Sequence, residues 1–404
     1  MPLLPRKARH TLILRLMKIV ATFLPGASYM AFTGSGSAGQ LCRYIGQMGI
    51  RRVLVVTDKP LRELGLVDQA TAALAEAGVE HAVFDGVEPD PTFGQVAAGV
   101  DAWRKHNAEA VLAVGGGSSM DAAKIIAAAA SSGQDPHAWV GFAKIKHVVP
   151  PIYAIPTTSG TGSEATIGSV LSDDQTHEKA VISARQLLPA AVALDPDLLM
   201  GLPGPITAAT GLDALTHAVE AYICIWDRGT ARQNAAAAVR LIFRHLETAY
   251  RDASNREARE AMSLAAYYAG IAINQVNVGN VHAIAHQLGG KYGIPHGLAN
   301  SLVLPHVLEF TFEETRPQLA ELAELAGVAD AGAGEEANAR AFIAAVRDLK
   351  KAVGLPEKSE KIRAEDYDYL CELALKECEA YPVPRMLDRE GTLRILSAIS
   401  NPAK

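Results

Sequence analysis

Up to about residue 202 the chain alternates short apolar runs of strand type with stretches of helical periodicity. Beyond Gly201-Leu202-Pro203-Gly204-Pro205 the strand-type runs all but disappear and long helical patterns take over. This change of period is the strongest constraint on the fold. Residues 53–57 (VLVVT), 80–84 (EHAVF), 110–114 (AVLAV), 152–156 (IYAIP) and 191–195 (AVALD) read as strands, and helical pattern fills roughly 60–78, 93–107 and 119–131 between them. Strands alternating with helices imply parallel βαβ units. The polar stretch 172–186 reads as a hairpin or loop, and 329–337 (ADAGAGEEA) as an exposed loop between helices. A chain of 404 residues exceeds one ordinary core. We therefore expect an extension over 1–30, an α/β domain over 31–203 and an all-helical domain over 204–404.

Hydrophobic residues make up 49% of the chain and charged residues 20%, a composition that suits a globular enzyme. The formal net charge of -6 argues against a nucleic-acid partner, because phosphate binding wants a basic face. The four cysteines, Cys42, Cys224, Cys371 and Cys378, form no CxxC pair and are too sparse for a disulfide framework, so reduced thiols in a cytoplasmic protein are expected. Residues 11–24 are largely apolar and follow the basic run Arg6-Lys7-Ala8-Arg9. Arg15 and Lys18 interrupt the stretch, which weighs against a signal peptide, and it is too short to span a membrane. On a helix Thr11, Arg15, Lys18 and Thr22 share one side, and Leu12, Leu16, Ile19, Val20 and Phe23 the other. An amphipathic helix packing on the body or on a partner subunit is the expectation, with docking at a membrane surface as the alternative.

AVLAVGGGSSMDAAK places a strand, a glycine turn and a helix start in series. Glycines let backbone approach a phosphate, and the N–H groups at a helix start attract anions. Ser118 and Ser119 can add hydroxyl donors or cap the helix; the same residues also make an ordinary tight turn. The run Pro156-Thr157-Thr158-Ser159-Gly160-Thr161-Gly162-Ser163-Glu164 likewise follows a strand and is crowded with small hydroxyls, which suits a phosphate or a cap and turn. Ligands gather at the carboxyl ends of parallel strands, so two such loops in one sheet point to a nucleotide. Asp58 ends the strand at 53–57. It can accept hydrogen bonds from a ribose and repel a 2′-phosphate, favouring NAD over NADP, or it can cap the turn before Lys59-Pro60.

The helical half carries sharper chemistry. Asp213 and His217 lie four apart in GLDALTHAVE, one turn apart on one helix face. His282 and His286 repeat that spacing in GNVHAIAHQLGG, and His296 follows in the turn IPHGLAN. One carboxylate with imidazoles is a borderline donor set that suits Fe(II) or Zn(II) and not calcium. No cysteine lies near these positions, which argues against a thiolate-ligated zinc of the kind some dehydrogenases use.

At these residues the sequence resembles the iron-containing (group III) alcohol dehydrogenase family, from about residue 30 to the C-terminus. The blocks that carry the resemblance are VTDK at 56, EPDPT at 88, GGGSSMDAAK at 115, PTTSGTGSE at 156, GLDALTHAVEAY at 211 and HAIAHQLGGKYGIPHGLAN at 282. It implies a dehydroquinate synthase-like fold, with an α/β dinucleotide-binding domain, an all-α metal-binding domain and the active site in the cleft between them. It makes Asp213, His217, His282 and His296 the metal ligands and His286 a neighbouring histidine, our candidate for relaying the proton or lining the nicotinamide site. Gly116, Gly117 and Ser118 match the pyrophosphate loop, Thr157, Thr158 and Thr161 the second cofactor loop, Asp58 the ribose-selecting aspartate and Lys179 a cofactor-contacting lysine. Asp90 stands where many relatives have asparagine beside the nicotinamide ribose, a departure from the family pattern. Implied with these are NAD, one divalent ion (Fe(II) or Zn(II)), a small alcohol or aldehyde substrate, a homodimer or larger assembly and a cytoplasmic location.

The expected reaction is hydride transfer between an alcohol and nicotinamide, with the metal polarising the substrate oxygen. Two redox alternatives among relatives are a hydroxyacid–oxoacid transhydrogenase and a maleylacetate reductase, whose carboxylate substrates would want basic residues such as Arg228 or Lys291. A dehydroquinate synthase-type lyase would need a cluster of lysines and arginines, and basic residues are few over 205–300. A non-catalytic metal or nucleotide sensor would not need every expected ligand position filled.

Overall fold

The computed structural model describes residues 8, 10–12, 14–15, 29–175, 178–226 and 229–401. Nine strands occur among them: β1 (Ala31–Thr33), β2 (Arg52–Val56), β3 (Glu80–Phe84), β4 (Ala110–Gly115), β5 (Gly141–Phe142), β6 (Ile152–Pro156), β7 (Gly168–Ser172), β8 (Lys179–Ser183) and β9 (Ala191–Leu194). Six form a sheet in the order β1-β9-β6-β4-β2-β3, every neighbouring pair parallel. Its inner strands are buried on both faces, which is why AVLAV and IYAIP read as continuous apolar runs without alternation. Val53, Val55, Leu112, Val114, Tyr153 and Ile155 form much of its core. Full burial of each such aliphatic side chain contributes about 1.5–3 kcal/mol.

The expected strands are present. The segment 172–186 resolves as part of an antiparallel hairpin, β7 with β8, with β5 joined to β8 in a small second sheet. β1 was not anticipated, because three residues carry no period; it adds to the edge of the large sheet against β9. The single helix expected over 60–78 is three short ones, Lys59–Glu63, Leu66–Thr71 and Ala73–Glu76, the first break falling where Gly65 turns left-handed at φ 75°. The alanine-rich helix runs Gly117–Ser132, beginning inside the glycine turn.

The α/β unit comprises Ser28–Leu202 and Asp252–Gly270; the helical unit comprises the described residues of 1–27, Pro203–Arg251 and Ile271–Lys404. Residues 252–270, which the sequence assigns to the helical half, group with the sheet. The reason is local. A Cβ on Gly270 would lie 2.5 Å from the Gly162 carbonyl oxygen, so helix Arg256–Val276 packs backbone to backbone against the loop after β6. The same helix holds the end of the α/β chain through Arg259 Nη2 to the Leu202 carbonyl (2.9 Å) and Arg256 Nε to Asp197 (3.0 Å).

The helical unit includes helices Gly204–Ile223, Gly229–Arg251, Asn280–Tyr292, His296–Phe310, Phe312–Ala326, Glu335–Ala352, Tyr367–Glu377 and Arg389–Ile399. Gly204–Ile223 is apolar nearly all round and buried from Gly211 to its end, as a central helix must be. Near the N-terminus residues 10–12 and 14–15 are helical, with Thr11 and Arg15 exposed and His10 and Leu14 buried. The rest of the expected amphipathic stretch, Leu16, Lys18, Ile19, Val20, Thr22 and Phe23, lies outside the described residues. Among the described residues no helix is long and apolar enough to cross a membrane.

Candidate active site

Helix Gly204–Ile223 presents Asp213 and His217, helix Asn280–Tyr292 presents His282 and His286, and His296 is the first residue of helix His296–Phe310. One donor atom each from Asp213, His217, His282 and His296 lies within 4.8 Å of all the others. Asp213 Oδ1 is 4.0 Å from His217 Nε2 and 3.4 Å from His296 Nε2. Close approach brings the third helix in: a Cβ on Gly297 would lie 2.2 Å from the Ala209 carbonyl oxygen, so only glycine lets this helix start press against Gly204–Ile223. Asp213 and His282 are buried to 2% exposure, whereas the His296 side chain is 40% exposed. The group is thus buried at Asp213, His217 and His282 and exposed at His296.

The donor set fits a divalent ion. Bonds of about 2.1 Å put donors at most about 4.2 Å apart, so a small side-chain movement closes the cluster on one ion. Burial and the neighbouring imidazoles push the His282 pKa well below 6.5, keeping the ring neutral as a ligand must be. Asn300, one turn after His296, sits within 2.7 Å of Asp213 Oδ1, 3.2 Å of His282 Nε2 and 3.1 Å of His296 Nε2. These contacts are made by its amide nitrogen, Nδ2, while its Oδ1 is buried without a hydrogen-bond partner among the described residues.

Glu220 was not singled out from the sequence. Its carboxylate accepts from His282 Nδ1 (2.6 Å), from the Gly279 N–H (2.8 Å) and from the Val281 N–H (2.6 Å). With Nδ1 donating, Nε2 of His282 keeps its lone pair for the cluster. Burial pushes Glu220 up to about 7, against the opposing pull of those backbone donors. The signal was available: 213, 217 and 220 are spaced i, i+4, i+7 on one helix face. Glu220→Gln is expected to weaken metal affinity about 10–100-fold while leaving the fold intact, read by titrating the apoprotein with Zn(II); unchanged affinity would remove Glu220 from this role.

His286 sits beside the cluster, its ring stacked at 5.4 Å on His296 and edge-on to His282 at 5.6 Å. Its Nδ1 is 2.6 Å from Glu377 Oε1. Lys291 pairs with Asp366 at 3.2 Å; Arg228 lies outside the described residues.

Asp58, the glycine turn and the threonine loop lie in the α/β unit at the carboxyl ends of β2, β4 and β6. The glycine turn and the threonine loop face one another: a Cβ on Gly116 would meet Thr158 Oγ1 at 3.4 Å, and one on Gly117 would meet Thr161 Cγ2 at 2.8 Å. The Thr157 N–H also donates to the Gly115 carbonyl (3.0 Å). Helix Gly117–Ser132 starts without a side-chain cap, which leaves its first N–H groups suited to an anion. Ser118 lies in that first turn. Asp58 caps the next helix through Leu61 N–H to Oδ1 (2.9 Å), and burial raises its pKa against that bond. The cap uses one oxygen, so the capping and ribose readings are compatible. Asp90, in the middle of the EPDPT turn, adopts φ 59° and is ion-paired with Lys179, so two of the candidates engage each other.

A buried tether under the two loops escaped the sequence reading. Lys124 is fully buried, with Nζ against Ser163 O (2.8 Å), Ser163 Oγ (2.8 Å), Thr166 Oγ1 (3.2 Å) and Gly168 O (2.6 Å). Ser163 Oγ donates to Asp121 (2.7 Å) and the Val170 N–H to the other Asp121 oxygen (2.9 Å). Burial lowers the Lys124 pKa to about 8, against the attraction of Asp121 and Glu164. This ties the helix that carries the glycine turn to the threonine loop.

Residues 30–196 match the family model "Iron-containing alcohol dehydrogenase", and 207–400 match "Fe-containing alcohol dehydrogenase family, C-terminal". The 1,3-propanediol dehydrogenase of Citrobacter freundii is 39% identical over 366 residues, 90% of this chain and 94% of that protein. The NAD-dependent methanol dehydrogenase of Bacillus methanolicus is 34% identical over 376 residues, 93% and 98% of the two chains. A crystal structure of 1,3-propanediol oxidoreductase superposes with a TM-score of 0.89 at 38% identity, covering 92% of this chain and 99% of that one.

Proposed function

This chain belongs to the iron-containing alcohol dehydrogenase family, and we propose that Asp213, His217, His282 and His296 hold the divalent ion, Fe(II) in the first instance, of an NAD-linked oxidoreductase that interconverts small alcohols with aldehydes or ketones. The observation that carries it is the convergence of one carboxylate and three imidazoles within 4.8 Å. When bound, the ion supplies Lewis-acid polarisation of the substrate oxygen and the dinucleotide accepts or returns the hydride.

The chain's own residues do the rest. Glu220 fixes His282 in the ligating tautomer, and His286, beside the exposed edge of the cluster, takes or returns the hydroxyl proton. The paired loops at Gly116, Gly117, Ser118 and at Thr157, Thr158, Thr161 hold the pyrophosphate, while Asp58 accepts from the adenosine ribose. Lys179 and Asp90 contact the nicotinamide side as a pair; where asparagine would offer an amide, the Asp90 carboxylate balances the lysine charge. Relatives named for propanediol and methanol support a short, unbranched alcohol as substrate. A homodimer or larger assembly and a cytoplasmic location complete the proposal. The sparse cysteines, none in a CxxC pair, fit a reducing compartment, and β1, at the edge of the large sheet among the described residues, offers main chain to a second copy.

The decisive assay follows nicotinamide absorbance across alcohols and aldehydes of graded length with Fe(II)- and Zn(II)-loaded protein. No turnover of any member with either ion would end the proposal. Asp58→Gly is expected to narrow the NAD-over-NADP preference in kcat/KM by about 10-fold, roughly 1.4 kcal/mol of lost charge repulsion; unchanged selectivity would take Asp58 out of the ribose site.

A further inference from the structure

Glu377 is the last residue of helix Tyr367–Glu377 and lies 91 residues from His286 in sequence, yet its carboxylate is saturated around that ring. Oε1 accepts from His286 Nδ1 at 2.6 Å and from the Tyr381 hydroxyl at 2.5 Å, while Oε2 accepts from Gln287 Nε2 at 2.5 Å. Burial acts to raise the Glu377 pKa, but the hydrogen bonds from His286, Tyr381 and Gln287 outweigh it and hold the carboxyl below its ordinary value. Three short donors to one half-buried carboxylate are charge-assisted and geometrically demanding.

The chain of contacts continues outward. The Tyr381 carbonyl accepts from His10 Nε2 at 3.0 Å, a buried bond between residues 371 apart. His10 is 6% exposed, and Leu14, one turn later on the same helical face, is 5% exposed. The N-terminal segment is thus packed where it holds the residue that holds Glu377, and it precedes residue 30, where the match to the family model starts.

We infer that Glu377 is a positioning residue for His286, and that His10 takes part in the same task by anchoring Tyr381. The inference rests on the proposed role of His286 in moving the substrate proton. A carboxylate accepting from Nδ1 fixes the proton on that nitrogen, which makes Nε2 the basic one, and it locks the ring angle beside His296. Tyr381 and Gln287 hold the carboxylate so that it cannot rotate away, and His10 holds the main chain from which Tyr381 reaches in.

The test uses the metal-loaded, full-length protein. Glu377→Ala is expected to lower kcat about 10–100-fold, the usual loss when a partner that orients a working histidine is removed. Metal content and alcohol KM should stay within about twofold of wild type, because neither the ligand set nor the pocket loses a group. Glu377→Gln should recover part of the loss, since its amide oxygen can still accept from Nδ1. His10→Ala should lower kcat about 3–10-fold with the same unchanged KM, and His10→Gln, which can still donate to the Tyr381 carbonyl, should restore it. Melting curves separate folding from catalysis. A wild-type kcat in folded Glu377→Ala overturns the positioning role, and a wild-type kcat in His10→Ala overturns the N-terminal contribution. Inactive wild-type protein with full metal would instead defeat the proposed function itself.

Discussion

His282→Ala is expected to release most of the bound metal and to lower turnover at least ~100-fold. His282 is the most enclosed of the three imidazoles, stacked at 4.7 Å on His217 and held by Glu220. Its truncation removes one of four donors and leaves the buried Glu220 carboxylate without one of its three partners, so the ion loses a ligand and the remaining cluster loses its geometry. A Lewis acid contributes several kcal/mol to transition-state stabilisation, and each 1.36 kcal/mol is tenfold in rate. The measurement is metal content by elemental analysis beside kcat in metal-depleted buffer. Near-wild-type activity without metal would rule out the whole scheme.

Gly297→Ala should show a comparable loss from a residue that has no side chain to offer a ligand. The added methyl would sit 2.2 Å from the Ala209 carbonyl oxygen and 2.7 Å from its carbon, contacts that cannot exist without separating two helices. The obstacle is backbone on a buried helix, so no side chain can swing aside to relieve it. Overpacking of this kind costs about 1–3 kcal/mol. The functional cost is larger, because the displaced helix start carries His296 and is followed one turn on by Asn300. A shift of about 1 Å in a catalytic group can cost ~100-fold. We expect a drop of several degrees in melting temperature together with a loss of metal affinity and about 100-fold lower kcat. A variant that melts early but keeps full metal and kcat would show that this close approach serves stability alone.

The site's parts were legible to different depths. Asp213 with His217, and His282 with His286, could be read because residues four apart on a helix share a face whatever surrounds them. Glu220 obeyed the same rule, which puts it on the face of Asp213 and His217, but its partners at Gly279 and Val281 come from another part of the chain. Lys124 looked like one more residue of an alanine-rich helix; only the folded loop at Ser163–Gly168 turns it into a tether. Asp58 was read as cap or ribose ligand, and the structure displays the cap while leaving the second oxygen unengaged by it. Glu377, in an unremarked C-terminal helix, could not be linked to His286 by any spacing.

Short-range geometry is readable along the chain: where the backbone period is two-sided strand or helix, where glycine opens a turn at a strand end, and which titratable side chains fall on one face of one helix. Long-range packing sets the strand order β1-β9-β6-β4-β2-β3, the grouping of 252–270 with the sheet unit, the convergence of three helices on the donor cluster and the reach from His10 to Tyr381. Those outcomes depend on which distant surfaces can approach closely enough to exclude water and pair their buried polar groups. Such complementarity is a property of two surfaces together and is written in neither segment alone.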